Sequence, residues 1–229
     1  MRINWKLNLF ICMALLVASS IPAMAENRKG QIFKVKNENR WVASIQSKYF
    51  EPYVARQNKD MWCWAASAQM ILNYQGVKQA TQEKIVEIIK GRDWKGELIN
   101  DGGNVVEMAQ ATDGWKIDTC TTIRSKAENY YKKNRKTIDL QALLEDLVNK
   151  YPILVGLDNP GYNTGHAWVL TGIVFRRNGD MVDPIKVILR DPWPDNPSRQ
   201  EMDWDEFYSR INSIVHVYPV ETCDIGTLG

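Results

Sequence analysis

Apolar residues in the middle of the chain recur at helical spacing, and those in its last third alternate or run in short blocks. From Met61 to Tyr74, Trp64, Ala68, Ile71 and Leu72 form one stripe, with Asp60 placed to cap the helix and Gly76 to stop it. Thr81 starts a second helix to Lys90 with Ile85, Ile88 and Ile89 inward, and Gly91 follows its end. Asn104 and Glu107 have the spacing of a capping box before a short helix to Ala111. Asp139 opens an amphipathic helix carrying Leu140, Leu143, Leu144, Leu147 and Val148. After Pro152 the period changes. Ile153–Leu157 is an apolar strand, and the stretch from Asp158 to Gly165 is rich in turn formers. His166–Phe175 and Ile185–Arg190 pair around a turn at Asn178-Gly179, Asp203–Ile211 is helical, and Ser213–Val220 is a final strand.

Two stretches lack a clear period. Glu26 to Gln57 is polar with scattered apolar residues, an extended lead-in with a short strand around Trp41–Ile45. Cys120 to Thr137 is polar and basic (Arg124, Lys126, Lys132, Lys133, Arg135, Lys136) and reads as a solvated loop or helix rather than a partner-binding patch. Helices first and an antiparallel sheet second is the layout of an α+β protein with two lobes, and such lobes commonly leave a cleft between them.

Composition sharpens this picture at the N-terminus. Arg2 and Lys6, the apolar run Leu9–Val17 and Ala23-Met24-Ala25 follow the order of a secretory signal peptide, in a run too short to span a bilayer. Removal of residues 1–25 leaves 204 residues, enough for one domain, with 27 basic residues against 27 acidic ones. The basic excess belongs to the leader, so nothing argues for a nucleic-acid partner. No later segment reaches the length of an apolar membrane span, and the 45% apolar content supports a packed core. Cys12 leaves with the leader, so Cys63, Cys120 and Cys223 remain, an odd number for an oxidising compartment.

Cys63 falls in the first turn of its helix, where free amides and the macrodipole favour a thiolate. A thiol nucleophile needs a base or an imidazolium beside it, and the chain has two histidines. His166 follows a glycine-rich turn at the start of a strand, where it can project into a cleft; His216 lies mid-strand and reads as structural. A working histidine needs an acceptor on its other nitrogen, and Asp191 ends the strand that pairs with the His166 strand. Acyl transfer needs donors for the oxyanion. Gln57, six residues before Cys63, can reach back over the helix start beside the Cys63 amide.

Taken together, Gln57-Asn58-Lys59-Asp60-Met61-Trp62-Cys63-Trp64-Ala65-Ala66-Ser67 resembles the nucleophile helix of papain-like cysteine peptidases. Gly165-His166-Ala167-Trp168-Val169-Leu170-Thr171-Gly172 is similar to that family's histidine strand, and Arg190-Asp191-Pro192-Trp193 to its third-member segment, with Trp193 shielding the histidine contact. These stretches are most similar to bacterial members, among them secreted effector proteases of plant pathogens and double-glycine leader peptidases. The chain also departs from plant and lysosomal members. Met61-Trp62 stands where they have Cys-Gly-Ser/Ala before the nucleophile, the third member is Asp rather than Asn, and 103 residues separate Cys63 from His166 against roughly 130–150.

The resemblance implies a papain-like two-lobed fold over residues 57–229, with a helical N-terminal lobe, a β-sheet C-terminal lobe and the active site in the cleft. It implies a secreted or periplasmic thiol peptidase in which Cys63 attacks, His166 carries the proton, Asp191 orients it and Gln57 steadies the oxyanion. No metal or organic cofactor is expected, and the partner is a protein or peptide substrate. An amidase, glutamine deamidase or acyltransferase could run on the same residues, and a non-catalytic binding module could keep the same fold. With Cys63 assigned to chemistry, counting leaves Cys120 and Cys223 to pair; two free thiols or an intermolecular bridge are the alternatives. Trp94 and Tyr162, in the loops that would flank the cleft, are candidate wall residues.

Overall fold

The computed structural model describes residues 31–35, 38–130, 137–161, 164–179 and 181–223. The expected leader, the basic residues 132, 133, 135 and 136, and Tyr162 lie outside them. Among the described residues are eight strands and six α-helices: β1 (Gln31–Lys34), β2 (Trp41–Ser44), α1 (Ser47–Phe50), α2 (Cys63–Gln75), α3 (Gln82–Ile89), α4 (Val105–Thr112), β3 (Thr121–Asn129), α5 (Leu140–Val148), β4 (Ile153–Asp158), β5 (Gly165–Asn178), β6 (Met181–Arg190), β7 (Arg199–Asp203), α6 (Trp204–Arg210) and β8 (Ile211–Glu221). All strand pairs are antiparallel. The sheet runs β1-β2-β5-β4-β8-β3, and β6 and β7 extend from β5 as a branch. The class is therefore α+β.

Two apolar clusters cover the two faces of the sheet. On one, Trp64, Ala68, Ile71 and Leu72 of α2 pack with Ile85 of α3 and Met108 of α4 against Leu154, Val169 and Val215. On the other, Leu143 and Leu147 of α5 and Phe207 of α6 pack against Val155, Leu170 and Ile214. Alternate residues of β4, β5 and β8 thus face opposite cores, which is why β4 reads as an apolar run rather than as alternation. The helix α2 is buried on nearly all sides.

Several expectations are corrected. The helix around Cys63 begins two residues later than its pattern suggests, with Trp62 and not Asp60 at the N-cap. It ends as expected at Gly76, whose φ of 109° is open to glycine. On α3, Thr81 caps as expected, but Ile88 is 60% exposed and Val86 takes the inward position. The Asn104–Glu107 capping box is present. Thr121–Asn129 is no loop or helix but strand β3, paired in continuous register with β8. Arg124 and Lys126 face solvent from the sheet edge, and the apolar support comes from Ile123, whose partner strand lies some ninety residues further on. β1, β2 and β3 all precede α5 and still join the sheet formed by the later strands, so helices and strands are not segregated along the chain. β7 carries too few apolar residues to announce itself.

Candidate active site

Three aromatic and polar anchors fix the start of α2. Trp62 and Trp64, both buried, donate from their indole nitrogens to the carbonyls of Ile99 and Asp101 at 3.0 Å each. The Met61 amide donates to Asn100 Oδ1 at 3.2 Å. The loop between α3 and α4 is thereby strapped across the helix entry. Gly103 lies so close to Trp64 that a Cβ there would sit 2.6 Å from the indole ring. Cys63 is the first residue of α2, half-buried, and its Sγ accepts from the Ala167 amide of β5 at 3.5 Å. Ser67, one turn on, donates to the Ala167 carbonyl at 3.3 Å, so helix and strand are tied at two levels.

His166 stands next to Ala167, near the start of β5. The pairing of Val169 with Arg190 sets β5 and β6 side by side and brings Asp191, just past β6, opposite this end of β5. His166 Nε2 meets Asp191 Oδ1 at 2.7 Å. The imidazole is walled by Trp168 and Trp193, both edge-on, with ring centroids 5.1 and 6.3 Å away. Burial alone would lower its pKa, but the hydrogen bonds to Asp191 and Cys63, and their charges, outweigh it and raise it to about 9. At neutral pH the ring is an imidazolium.

Asp191 has no exposed surface. Besides His166, its Oδ1 accepts from the Trp193 amide at 2.9 Å, and its Oδ2 from Asn196 Nδ2 at 2.7 Å and Gln200 Nε2 at 2.9 Å. Burial would push this carboxyl up; His166 foremost, with the Trp193 amide and Asn196, holds it below the usual range. Asn196 and Gln200 are not evident from sequence. The turn-rich run Pro192 to Pro197 signals a loop there, but not that it folds back onto the carboxylate.

Gln57 is buried beside the helix entry. Its Nε2 donates to the carbonyls of Lys59 and Asp60 at 2.9 and 2.8 Å, and Oε1 meets no partner. Cys63 and His166 open onto a cavity of about 920 Å³, within the range of small-ligand and peptide sites. The α2–α4 side contributes Met61, Gly102, Gly103 and Met108, and the sheet side contributes Gly156, Gly165 and Ser213. Both loops expected to flank a cleft reach it, through Gly102-Gly103 and through Asn159, Thr164 and Gly165. Trp94 does not; it is 89% exposed and absent from the lining. His216 is also elsewhere, buried in β8 with Nδ1 2.5 Å from Asp146 Oδ2. The sulfurs of Cys120 and Cys223 are at bonding distance, 2.14 Å, and Cys63 is the free cysteine among the described residues.

The chain belongs to the family described as papain-like cysteine protease AvrRpt2, whose model matches residues 46–211, well over half of the chain. Membership points to a cysteine peptidase, a hydrolase acting on protein substrates. No curated protein matches the chain.

Proposed function

We propose that this member of the papain-like cysteine protease family cleaves peptide bonds through an acyl-enzyme on Cys63. The observation that carries the reading is the convergence of Cys63, His166 and Asp191 at one place, with Cys63 and His166 on one cavity, His166 Nε2 on Asp191 and the neighbouring Ala167 amide on Cys63 Sγ. Cys63 Sγ attacks the scissile carbonyl, and its electron pair forms the C–S bond while the carbonyl electrons move to oxygen. His166 then gives its proton to the leaving nitrogen, the C–N bond breaks and the amine departs. Water attacks the thioester, His166 takes its proton, and the acid and free thiolate are released. Asp191 keeps the ring in the orientation and charge state both steps need.

The oxyanion would be held by the Cys63 amide, one of the helix-start N–H groups with no carbonyl partner inside the helix, and by Gln57 Nε2. To serve it, Gln57 must release one of its hydrogen bonds to Lys59 or Asp60, a cost of about 1 kcal/mol.

The fold that goes with this reading is two-lobed. The cavity supports it, being walled by α2–α4 elements on one side and by β4, β5 and β8 on the other. We assign residues 57–229 to the peptidase domain and 26–56 to a lead-in. Secretion, with removal of residues 1–25, is supported by the leader pattern and by the Cys120–Cys223 pair, which suits an oxidising compartment. N-terminal sequencing of exported protein should begin at Glu26; an intact Met1 would refute it.

The deciding experiment is a diverse peptide library incubated with the wild-type protein and with Cys63→Ala, alongside labelling by a thiol-directed covalent inhibitor. Internal cleavage that vanishes in Cys63→Ala, and inhibitor carried on Cys63 alone, is the expected result. Cleavage unaffected by the substitution overturns the mechanism. Ammonia release without cleavage points to a deamidase, and no turnover to a binding module.

A further inference from the structure

The segment Arg56-Gln57-Asn58 makes more contacts with the site than its place in a lead-in suggests. On one side, the primary amide of Gln82, the first residue of α3 and 2% exposed, donates to the Arg56 carbonyl at 2.8 Å and accepts from the Asn58 amide at 2.9 Å. It bonds like the peptide group of a neighbouring strand. On the other side, the Gln57 amide donates to the Pro192 carbonyl at 2.9 Å. Arg56 Nη1 reaches past it and bridges the carbonyls of Asp191 and Trp193 at 3.0 and 2.8 Å. The backbone around Gln57 is thus the middle rung between α3 and the loop that carries Asp191 and Trp193.

We infer that Gln82 and Arg56 are positioning residues for the reaction, Gln82 aiming Gln57 at the oxyanion and Arg56 holding the Asp191 loop against His166. This rests on the peptidase reading above. Neither residue touches the reacting atoms. Both hold, through short hydrogen bonds, backbone whose side chains do, and an error of about 1 Å in such a group can cost on the order of 10²-fold in rate.

The two arms separate by assay. Alkylation of Cys63 by iodoacetamide forms no oxyanion, so it reports the Cys63–His166–Asp191 side alone; hydrolysis of a library-selected fluorogenic peptide reports both. Gln82→Leu should lower kcat/KM for the peptide by about 10²-fold with little change in KM, leaving the alkylation rate and its alkaline limb where they were. Arg56→Met should move the alkaline limb of alkylation to lower pH, and Arg56→Lys, whose ammonium can also bridge two carbonyls, should restore it.

Gln82→Glu supplies the readout that mere structural damage would not reproduce. Protonated, the introduced carboxyl offers Arg56 a donor and Asn58 an acceptor, as the amide does; ionised, it turns an oxygen on the Arg56 carbonyl. The hydrolysis defect of this variant should therefore fade as pH falls through the titration of the introduced carboxyl. The same variant decides the matter if Gln82→Leu fails to fold. The inference is overturned if Gln57→Ala loses hydrolysis while both Gln82 variants do not, or if the Gln82→Glu defect is the same at every pH. It is overturned equally if Arg56→Met leaves the alkylation profile unmoved. If Gln57→Ala itself hydrolyses normally, the oxyanion assignment has failed instead, and that result is read independently.

Discussion

The resemblance to papain-like peptidases sets Asp191 where plant and lysosomal members have Asn, so Asp191→Asn is a sharp test of whether this site is built for a carboxylate. Four donors converge on the buried side chain: His166 Nε2 and the Trp193 amide on Oδ1, Asn196 Nδ2 and Gln200 Nε2 on Oδ2. An asparagine has one acceptor oxygen. With that oxygen toward His166, its NH2 group faces Asn196 and Gln200. Asn196 can turn its own amide to accept, but Gln200 Nε2 also donates to the Pro197 carbonyl at 3.3 Å and loses that bond by turning. With the oxygen reversed, the NH2 group faces the Trp193 amide and forces His166 Nε2 to accept, the wrong tautomer for the reaction. The first orientation gives up the exposed Gln200–Pro197 bond, and the second leaves the Trp193 amide without an acceptor, so the substitution costs about 0.5–1.5 kcal/mol or more.

The charge is lost as well. A carboxylate this close favours the charged ring, so without it the pKa of His166 should fall from about 9. The assay is the pH profile of Cys63 alkylation by iodoacetamide, with thermal unfolding in parallel. Wild-type protein should lose the imidazolium only as pH rises through about 9. Asp191→Asn should lose it at least one unit lower and melt earlier, and peptide hydrolysis at pH 8 should fall further than at pH 6. An unmoved alkaline limb together with an unmoved Tm would refute the reasoning, since it would mean that neither the charge nor the four-donor cradle matters.

The same pair makes stability depend on pH. The folded pKa of His166, about 9, lies above its ordinary 6.5, so its contribution is complete below about pH 6.5 and lost as pH rises through 9. The size is about 3 kcal/mol, and urea unfolding at pH 6 and pH 10 should show that slope in wild type but not in His166→Ala. Thiol titration of denatured, unreduced protein should find Cys63 as the free thiol among residues 26–229. Replacing Cys120 and Cys223 by Ser should cost up to about 4–5 kcal/mol by chain entropy for the loop they close, 103 residues apart, read as a lower Tm. Gly103→Ala should drive a methyl into the Trp64 ring 2.6 Å away and shift the strap over the helix entry. The expected cost is about 1–3 kcal/mol, with a drop in kcat/KM that a Gly96→Ala control, open to solvent but strained at φ 84°, would not share.

What could be read from the chain beforehand follows from how local each cause is. The caps at Thr81, Asn104 and Asp139 are legible because a side chain bonds an amide two or three residues away. Asp60 fails the same rule. The Trp62 and Trp64 indoles tie Met61-Trp62 down to residues 99–101, so the helix starts where tertiary contacts let it rather than where a capping side chain stands. Strand β3 was illegible for a related reason: Arg124 and Lys126 are exposed, and its pairing partner β8 is distant in sequence. At the candidate site, Cys63, His166, Asp191 and Gln57 could be singled out because the proposed chemistry restricts residue type. Asn196, Gln200, Gln82 and Arg56 could not, because many residues can donate a hydrogen bond, and only the folded geometry selects these. The division explains the departure from Asn at position 191. A carboxylate in a fully buried place is tolerable only where other parts of the chain bring enough donors to it. The identity of residue 191 is therefore settled by Trp193, Asn196 and Gln200 as much as by His166.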